Sequence, residues 1–438
     1  MLSPHNNATY RRLFSAQVVA LLGTGLATVA LGLLAHRLGG ASAGEILGIA
    51  FAIKMIAYVA VAPFASALAA NLPRKTLLVG LDLVRAGVAA LLPFVAEAWQ
   101  VYALMTVLYV ASAAFTPAFQ AMIPDILTDE REYTKALSLS RLASDLESVA
   151  SPVIAAVLLA FVAYNDLFAG TAIGFFLSAL MVLSAALRTV RVAQQKTFTQ
   201  RLTIGFRLFA LTPRLRGLVA ISLATAAGGA MVFINTVVIV QTQLSLSEQH
   251  TAWALAVFGL GSMSAAMLVP RLLEAMPDRI VMILGGAMMT AGLTAGVFHH
   301  HGGDYELLVL WFDIGVGYSL TLTPASRALR RSASAEDRPG LFAAYFALSH
   351  ACWLIAYPVA GLVSSIWGTN AAFLVLGVLS AIGSIATWLL WPSDDPDILS
   401  HRHEGLAPEH PHLAGGGPEH AHAFVIDDLH GRWPDRRD

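Results

Sequence analysis

The histidines of this chain are concentrated near its C-terminal end, and their spacing is that of metal ligands. Residues 393–438 hold seven of the fourteen histidines, and six of the seven form three His-x-His pairs with acidic residues close by. In an extended chain, residues i and i+2 point to the same side, so each pair can offer two imidazoles to one ion. Imidazole without thiolate suits nickel, cobalt, zinc or copper(II). The predicted metal ligands are His401, His403, His410, His412, His420, His422 and His430.

The rest of this tail gives two further expectations. Its Gly- and Pro-rich spacing, as in PEHPHLAGGGPEH, predicts a segment that is disordered until it binds something. Phe424, Val425, Leu429 and Trp433 fall at helical spacing, which predicts that the last stretch docks on the membrane part. The alternative interpretation is a polar tail that is rich in histidine without any binding role.

Ionisable residues also occur inside long apolar segments, where charge is costly and usually functional. Asp82 and Arg85 are spaced i,i+3, and Arg141 and Asp145 are spaced i,i+4, so each pair can neutralise itself within one helix. Both pairs are therefore either structural or part of a transport site. Lys54 is a third structural charge or a partner of one of these acids.

Three further residues have chemistry that a proton-coupled transporter would use. Glu147 and Asp313 have no basic residue at helical spacing, and a lone carboxylate in a low-dielectric site favours its neutral form. Such a group can accept a proton or exchange it for a cation. His350 is a proton relay, a substrate ligand or an ordinary core histidine. Asp313 is the better candidate for proton coupling, because Glu147 lies nearer the predicted cytoplasmic end of its helix.

Composition identifies the elements that must carry these residues. The chain has 438 residues, of which 57% are hydrophobic and 13% charged. A soluble domain has about 25% charged residues, so an all-α polytopic membrane protein is predicted. The single cysteine excludes a disulfide framework and a Cys-based zinc site. The first apolar run lacks a cleavage-like end and is predicted to be a retained helix.

Twelve apolar segments are long enough for membrane helices, which need about 20 residues each. They cover 13–35, 45–70, 76–96, 99–123, 136–163, 167–187, 217–242, 251–273, 280–298, 305–326, 340–366 and 371–391. Lys and Arg are concentrated in alternate loops, so both termini are predicted to be cytoplasmic. The predicted domains are an N-terminal six-helix bundle at 1–187, a cytoplasmic central loop at 188–216, a C-terminal six-helix bundle at 217–392 and the tail at 393–438.

The two predicted bundles repeat each other at a nearly constant offset. The matches are LPRKTLLVG (72–80) with MPDRIVMILG (276–285), TPAFQAMIP (116–124) with TPASRALRR (323–331), and Pro152 with Pro358. Two like-oriented bundles imply an axis along the membrane normal, and transporters of that build bind substrate near the midplane, between the bundles.

Over about residues 10–392 the chain resembles the major facilitator superfamily. The family signature G-x-L-A-D-R-x-x-R-[RK] corresponds to residues 66–75, where the final basic pair is Arg74 and Lys75 but Ala70 and Asn71 replace the Asp and the first Arg. The antiporter motif G-P-x-x-G-G appears as SPVIAA at 151–156. The resemblance implies two bundles and a gating role for the signature loop. The paired histidines of the tail resemble those of the bacterial nickel-resistance exporters of this superfamily, which expel nickel.

These observations together predict a secondary transporter of the bacterial inner membrane that exports a divalent cation, nickel above others, against protons. The helices equally resemble drug and siderophore exporters, which is the first alternative. A membrane metal sensor that does not transport is the second. No Walker-type loop is present, so ATP drive is not expected, and no catalytic constellation indicates an enzyme. We expect no required cofactor, no nucleic-acid partner, a monomer, and nickel or a similar ion as cargo or tail ligand.

Overall fold

The structure is a computed structural model that describes residues 4, 7–39, 43–69, 72–186, 197–246, 248–298, 304–396, 398–403, 411–413, 419–427 and 429–434. Its helices are α1 (Ala8–Gly39), α2 (Ala43–Ala69), α3 (Arg74–Leu91), α4 (Ala98–Ile126), α5 (Glu130–Leu159), α6 (Tyr164–Ser184), α7 (Phe198–Leu211), α8 (Pro213–Val237), α9 (Glu248–Ala275), α10 (Asp278–Gly296), α11 (Asp304–Leu322), α12 (Ala325–Arg331), α13 (Arg338–Trp367) and α14 (Thr369–Leu390). One π-helical turn, Val238–Gln243, follows α8.

Each of the twelve predicted apolar segments contains a long helix in this structure, and the segment 305–326 is divided at Pro324 between α11 and α12. Ten helices within the described ranges are long and apolar enough to cross a membrane, and α2 and α5 are the two long helices outside that set. The protein is therefore an all-α membrane protein, as the composition predicts. That all twelve helices span the bilayer, with both termini in the cytoplasm, stays a prediction.

Local sequence signals explain where several helices begin. Asp129 caps α5 by accepting hydrogen bonds from the backbone N–H groups of Arg131 and Glu132. Thr197 caps α7 by accepting from the N–H of Gln200. Gly368 separates α13 from α14 at a φ of 85°, a conformation that glycine adopts without the steric cost of a side chain.

The helices form two halves, each with its own hydrophobic clusters. The N-terminal half comprises α1–α6 and the C-terminal half α8–α14. Small residues let backbones approach closely within each half. A Cβ on Gly261 would lie 2.2 Å from the carbonyl oxygen of Phe312, and one on Gly315 would lie 2.1 Å from that of Phe258, so α9 and α11 meet backbone to backbone. The halves contact each other through α2 and α4 against α13, and through α5 against α9.

The central segment is not the loop that the sequence predicted. Residues 198–211 form α7, and α8 already begins at Pro213, while residues 188–196 lie outside the described ranges. The helix forms because a capping box starts it and because Leu208 and Phe209 give it a buried face. It packs on α2 and α13, and a Cβ on Gly205 would lie 2.3 Å from the carbonyl oxygen of Gly340. The segment is therefore a packed helix between the halves.

The described part of the tail contains regular structure. Strands β1 (Ile398–Arg402) and β2 (Glu419–Ala423) pair as an antiparallel ribbon, and Phe424 and Ile426 belong to the core of the C-terminal half. Burial of these two apolar side chains stabilises the ribbon of the described residues, and disorder of the tail before it binds a ligand stays a prediction. The helix suggested by the spacing of Phe424 and Trp433 is absent from the described stretch 419–427 and 429–434, although the stretch does dock.

Candidate metal centre and contacts between the halves

The ribbon gathers the tail histidines on one of its faces. His401 of β1 lies directly opposite His420 of β2, and His422 lies one step along on the same face. His403 continues the alternation of β1, His412 comes from a short turn between the strands, and His430 follows β2. Strand pairing and the segments next to the strands therefore bring histidines far apart in sequence into one cluster.

The imidazole Nε2 atoms converge closely. His401 Nε2 lies 3.1 Å from His403 Nε2 and 3.0 Å from His430 Nε2. His412 Nε2 lies 3.1 Å from His420 Nε2 and 3.2 Å from His422 Nε2. Two overlapping groups of four can be formed, each with its ligand atoms within 4.8 Å of one another: His401, His412, His420 and His422, and His401, His403, His412 and His430.

The outer ring nitrogens fix the orientation of three of these rings. His430 Nδ1 donates to the Asp427 carboxylate at 2.8 Å, His401 Nδ1 donates to the Leu399 carbonyl at 3.2 Å, and His422 Nδ1 donates to the Ala423 carbonyl at 2.9 Å. Carboxylate and carbonyl oxygens can only accept, so in the neutral ring each Nε2 carries a lone pair directed inward. A metal-binding histidine usually has such a partner on its other nitrogen, as His430 has in Asp427.

The electrostatic environment favours the neutral form of three imidazoles of the cluster. Burial lowers the pKa of His401, of His403 and of His430, and the neighbouring imidazoles lower it further. The carboxylate of Asp427 raises the pKa of His430 and so offsets part of this lowering. A neutral imidazole is the form that binds a metal, so the lowered pKa values favour the binding-competent form of these three ligands.

The spacing of the nitrogens indicates the coordination geometry that they would suit. At a metal–nitrogen distance of about 2.1 Å, adjacent ligands are about 3.0 Å apart in an octahedron and about 3.4 Å apart in a tetrahedron. The four Nε2–Nε2 distances of 3.0–3.2 Å lie nearer the octahedral value. Each group of four imidazoles therefore suits four positions around a six-coordinate divalent ion such as nickel or cobalt better than a tetrahedral zinc site. The seventh predicted ligand, His410, lies outside the described residues.

The metal-ligand cluster is joined to the C-terminal half by aromatic and charged contacts. Phe424 contacts the rings of His401 and His430 on one side and that of Trp433 on the other. The guanidinium of Arg214, on α8, lies 5.2 Å from the centre of the Trp433 ring and pairs with Asp395 at 2.9 Å. The cluster is therefore docked on the C-terminal half rather than tethered at a distance.

Asp82 and Arg85 form a pair inside the N-terminal half. They are 0% and 5% exposed, and Arg85 donates to Asp82. Asp82 also accepts from Ser178 of α6 at 2.8 Å, and the guanidinium of Arg85 lies between the rings of Phe115 and Phe175, 4.0 and 4.5 Å from their centres. The pair thus joins α3, α4 and α6, which is the geometry expected of a structural pair.

The other predicted membrane charges have different surroundings. The side chains of Arg141, Asp145 and Glu147 lie outside the described residues, although the backbone of α5 is helical there. Asp313 is half-buried and has no hydrogen bond or ion pair to any side chain that the structure describes. Its Oδ2 lies beside Gly292 of α10, where an added Cβ would be 2.9 Å away. This carboxylate therefore faces α10 within the C-terminal half.

Lys54 and His350 lie where the two halves meet. The His350 ring, on α13, is 4.9 Å from that of Tyr58 on α2, and Nδ1 donates to the Phe346 carbonyl at 2.7 Å. The Lys54 ammonium lies 5.7 Å from the centre of the Tyr58 ring and 5.9 Å from that of Tyr109 on α4. The sequence singled out Lys54 and His350 separately, and the structure brings them together.

Ion pairs join the halves at the predicted cytoplasmic face. Arg338 pairs with Asp125 at 2.5 Å, and Arg327 and Arg330 each pair with Glu130 at 2.6 Å. We call these five residues the inter-half lock. The Tyr133 hydroxyl adds a bond to the Ser326 carbonyl at 3.2 Å. The halves are therefore closed against each other at this face.

The signature loop takes part in this closure. Arg74 pairs with Asp125 at 2.5 Å, so one carboxylate serves Arg74 of the N-terminal half and Arg338 of the C-terminal half. Lys75 donates to the Ala185 carbonyl at the end of α6 at 3.0 Å. The acids of the lock were missed by the sequence analysis, in which loop charges indicated only membrane orientation. Their position next to the repeated TPA stretches was the available signal.

Loss of Glu130 should open the predicted cytoplasmic face. Glu130→Gln removes the carboxylate that pairs with two arginines. The reporter is Ser326→Cys in a Cys352→Ala background. We expect it to react with an impermeant maleimide about five-fold faster or more, which corresponds to a loss of roughly 1 kcal/mol from the closed state. Glu274→Gln is the matched control, because its 3.7 Å pair with Arg131 is exposed and contributes little. Equal labelling rates in Glu130→Gln and the parent would contradict the lock.

The two-half fold with its closed face defines a class, the membrane transporters that move substrate between two helical bundles. Residues 13–239 and 218–415 match the family described as Major Facilitator Superfamily. The chain belongs to the major facilitator superfamily, and it is a multi-pass membrane transporter rather than an enzyme.

Individual relatives are distant. The chain is 22% identical over 350 residues to the uncharacterized MFS-type transporter YfiS of Bacillus subtilis (strain 168), covering 76% of this chain and 81% of that protein. The human organic anion transporter MFSD10 (TETRAN) has a similar structure, with a TM-score of 0.75, 12% identity, and 88% and 100% of the two chains covered. A variant of the E. coli fucose:proton symporter FucP also has a similar structure, with a TM-score of 0.70 and 13% identity. The match covers 87% of this chain and 98% of that chain. These structural likenesses show the fold.

Proposed function

We propose that this chain is a proton-driven exporter of a divalent transition-metal cation, nickel above others, in the bacterial inner membrane. The single observation that carries the proposal is the clustering of six tail imidazoles in two overlapping groups of four, with four Nε2–Nε2 distances of 3.0–3.2 Å. Imidazole nitrogen without thiolate favours nickel and its neighbours over soft copper(I). In this proposal the metal is both the cargo and the ligand of the tail, and transport needs no cofactor.

The cluster would serve the transporter as a metal receptor on the cytoplasmic side. It lies beyond α14 and outside the interface between the halves, so it is not itself on the path between them. A receptor held beside the transport domain raises the local concentration of the ion that it binds. Its attachment through Phe424 and Trp433 fixes that short distance.

Asp313 is the proposed proton carrier. It is half-buried, lies in mid-helix and has no partner among the residues that the structure describes. An unpaired carboxylate in such a site can gain and lose a proton during the transport cycle. Its position beside α10 implies that the proton couples to movement within the C-terminal half.

Flux measurement tests the proposal directly. Purified protein in proteoliposomes should move radioactive nickel against its gradient when a pH gradient is imposed, and should release protons in the opposite direction. Asp313→Asn should reach the membrane in normal amount but lose the pH-driven flux, with Asp304→Asn at the start of α11 as the control. Nickel flux that ignores the pH gradient would contradict proton coupling, and absence of nickel flux would contradict metal export.

Export of an organic molecule is the second candidate, and a specific observation favours it. The interface between the halves carries rings at mid-helix: Tyr58, Tyr109, Phe346, His350 and, farther along the same face of α13, Trp353. Aromatic rings suit an organic cargo such as a drug or siderophore. The structural neighbour MFSD10 is described as an organic anion transporter. Flux of a dye or labelled siderophore in place of nickel separates this candidate from metal export.

A metal sensor without transport is separated by the same assay, since it would bind nickel but give no flux of any cargo. Its binding site would be the one proposed here. The inter-half lock favours transport over sensing, because reversible ion pairs between the halves permit alternation between closed and open states.

Nickel binding by the full-length protein should depend on pH through the histidines. Because the pKa values of His401, His403 and His430 are lowered, these rings stay neutral below the ordinary histidine value, and affinity should be retained at about pH 7 and fall progressively below about pH 6. The metal-free ribbon should weaken in the same direction, since its unfolded form binds more protons below about pH 6.5. Calorimetry between about pH 5 and pH 7.5 measures both. An affinity that does not change over this range would exclude imidazole ligands.

A further inference from the structure

The interface between the halves carries a positive charge that no described acid neutralises. Lys54 lies eleven residues into the 27-residue helix α2 and is half-buried. It has no ion pair or hydrogen bond to a residue that the structure describes, and its contacts are with the rings of Tyr58 and Tyr109. A charge held at this depth without a partner is costly, and its retention indicates a ligand.

Three more polar groups without partners lie beside this ammonium. Tyr109 is 6% exposed, and neither its hydroxyl nor that of Tyr58 bonds to any described residue. His350 uses Nδ1 on the Phe346 carbonyl, which leaves Nε2 available. Lys54, Tyr109 and His350, on α2, α4 and α13, thus each lie beside the ring of Tyr58. Four polar atoms in one region, none of which bonds to a described residue, favour a polar ligand, because a few well-placed polar groups are what fixes a ligand in a largely apolar pocket.

The charge and the neighbouring rings decide which ligand fits. A bare divalent cation would be repelled by the ammonium, whereas a carboxylate would accept hydrogen bonds from the ammonium and both hydroxyls. The rings of Tyr58, Phe346 and Trp353 provide apolar surface for the organic part of such a ligand. The contributing helices belong to both halves, so a ligand here would bridge the two moving parts.

The geometry points to an anion-binding subsite formed by Lys54, Tyr58, Tyr109 and His350, at which the cargo crosses as a carboxylate-bearing organic anion. Where the cargo includes the metal of the proposed function, on which this step rests, the ion leaves as a chelate of net negative charge. The tail cluster then binds the bare ion, and the interface binds its anionic complex. The tail cluster prefers the cation and the interface prefers the anion, so the two sites do not compete for the same form of the metal.

Flux with and without a carboxylate chelator tests the subsite, with citrate as the probe. Nickel–citrate carries net negative charge, and citrate lowers the concentration of the free ion. If the chelate is the cargo, adding citrate to the donor side of proteoliposomes should increase nickel flux, and labelled citrate should accumulate together with nickel. If the bare ion is the cargo, citrate should decrease the flux, and the subsite is overturned.

Variants locate the effect at the interface. Lys54→Gln should weaken citrate binding about ten-fold or more, as loss of a charge-assisted hydrogen bond does, while Lys54→Arg should retain most of it. Arg37→Gln, which removes a charge at the far end of α1, is the control. Unchanged nickel binding at the tail shows that a variant is folded. If Lys54→Gln fails this check, Tyr109→Phe, which deletes only a hydroxyl, takes its place.

The results separate the two proposals. Nickel flux that is unaffected by citrate and by both Lys54→Gln and Tyr109→Phe would overturn the subsite and leave metal export standing. Citrate-dependent flux of an organic anion without any movement of nickel would contradict metal export and support the subsite. Nickel flux that citrate stimulates and Lys54→Gln abolishes supports both.

Discussion

His412→Ala should abolish tight nickel binding by the full-length protein. His412 belongs to both groups of four ligands, and its Nε2 is the atom that lies 3.1 and 3.2 Å from those of His420 and His422. Loss of even an outer partner of a metal ligand costs about 10–100-fold in affinity, so loss of a shared ligand should cost at least about 100-fold. Calorimetry of the purified protein measures this change directly.

Two further readouts follow from the same variant. Nickel at a hundred times its dissociation constant should stabilise the wild-type protein by about 2.7 kcal/mol, and His412→Ala should lose this stabilisation. The half-saturating nickel concentration for flux should rise while the saturated flux stays nearly intact, since the receptor supplies the ion without setting the cycle rate. His250→Ala, on α9 and distant in sequence from the tail, is the control. Unchanged affinity in His412→Ala would exclude the cluster as a metal site.

Histidine substitution is a better test here than removal of the tail. Residues 399–438 include Phe424 and Ile426, which are part of the core of the C-terminal half, and Trp433, which covers Arg214. Truncation would expose that surface and reduce the amount of folded protein for reasons unrelated to metal. A truncated protein that stops all flux would therefore indicate a structural role of the docked segment.

Asp82→Asn should strongly reduce the amount of folded protein. The substitution leaves the Arg85 guanidinium buried between Phe115 and Phe175 without its carboxylate. Breaking a buried ion pair by removing one partner costs about 3–5 kcal/mol, because the remaining charge is uncompensated. Fluorescence-detected gel filtration and thermal unfolding of the detergent-solubilised protein measure the loss.

Asp313→Asn provides the matched comparison, since it is the same substitution in another membrane helix. Asp313 has no described partner to leave unpaired, so its replacement should not reduce folding. The double variant Asp82→Asn/Arg85→Met should recover much of the lost stability, because it removes the orphaned charge as well. Normal folding of Asp82→Asn alone would show that the pair is not a structural element.

The sequence by itself determined the class of protein and its helices. Apolar segments of membrane length follow from the absence of water in the bilayer, where every backbone polar group must be satisfied within the helix. That constraint is local, so segments such as 13–35 and 371–391 predict α1 and α14. Pairing of Asp82 with Arg85 was likewise predictable, since i,i+3 residues are neighbours on any helix.

Local sequence signals did not predict the secondary structure of segments whose conformation depends on tertiary packing. The TPA stretch is repeated, yet Pro117 lies inside the continuous helix α4, whereas Pro324 separates α11 from α12. The basic segment that resembled a loop holds α7, because α2 and α13 cover its apolar face. The Gly-rich tail forms a ribbon, because the C-terminal half buries Phe424 and Ile426.

For the metal cluster and the interface between the halves, the sequence likewise determined some features and the tertiary structure others. Composition and His-x-His spacing predicted the ligand types, since imidazole chemistry belongs to each residue. Only the tertiary structure placed His401, His412 and His430 at one point, because strand pairing and docking join positions far apart in the chain. Lys54 and His350 both lie beside Tyr58 for the same reason, since they belong to helices of different halves and no spacing within either half encodes that arrangement.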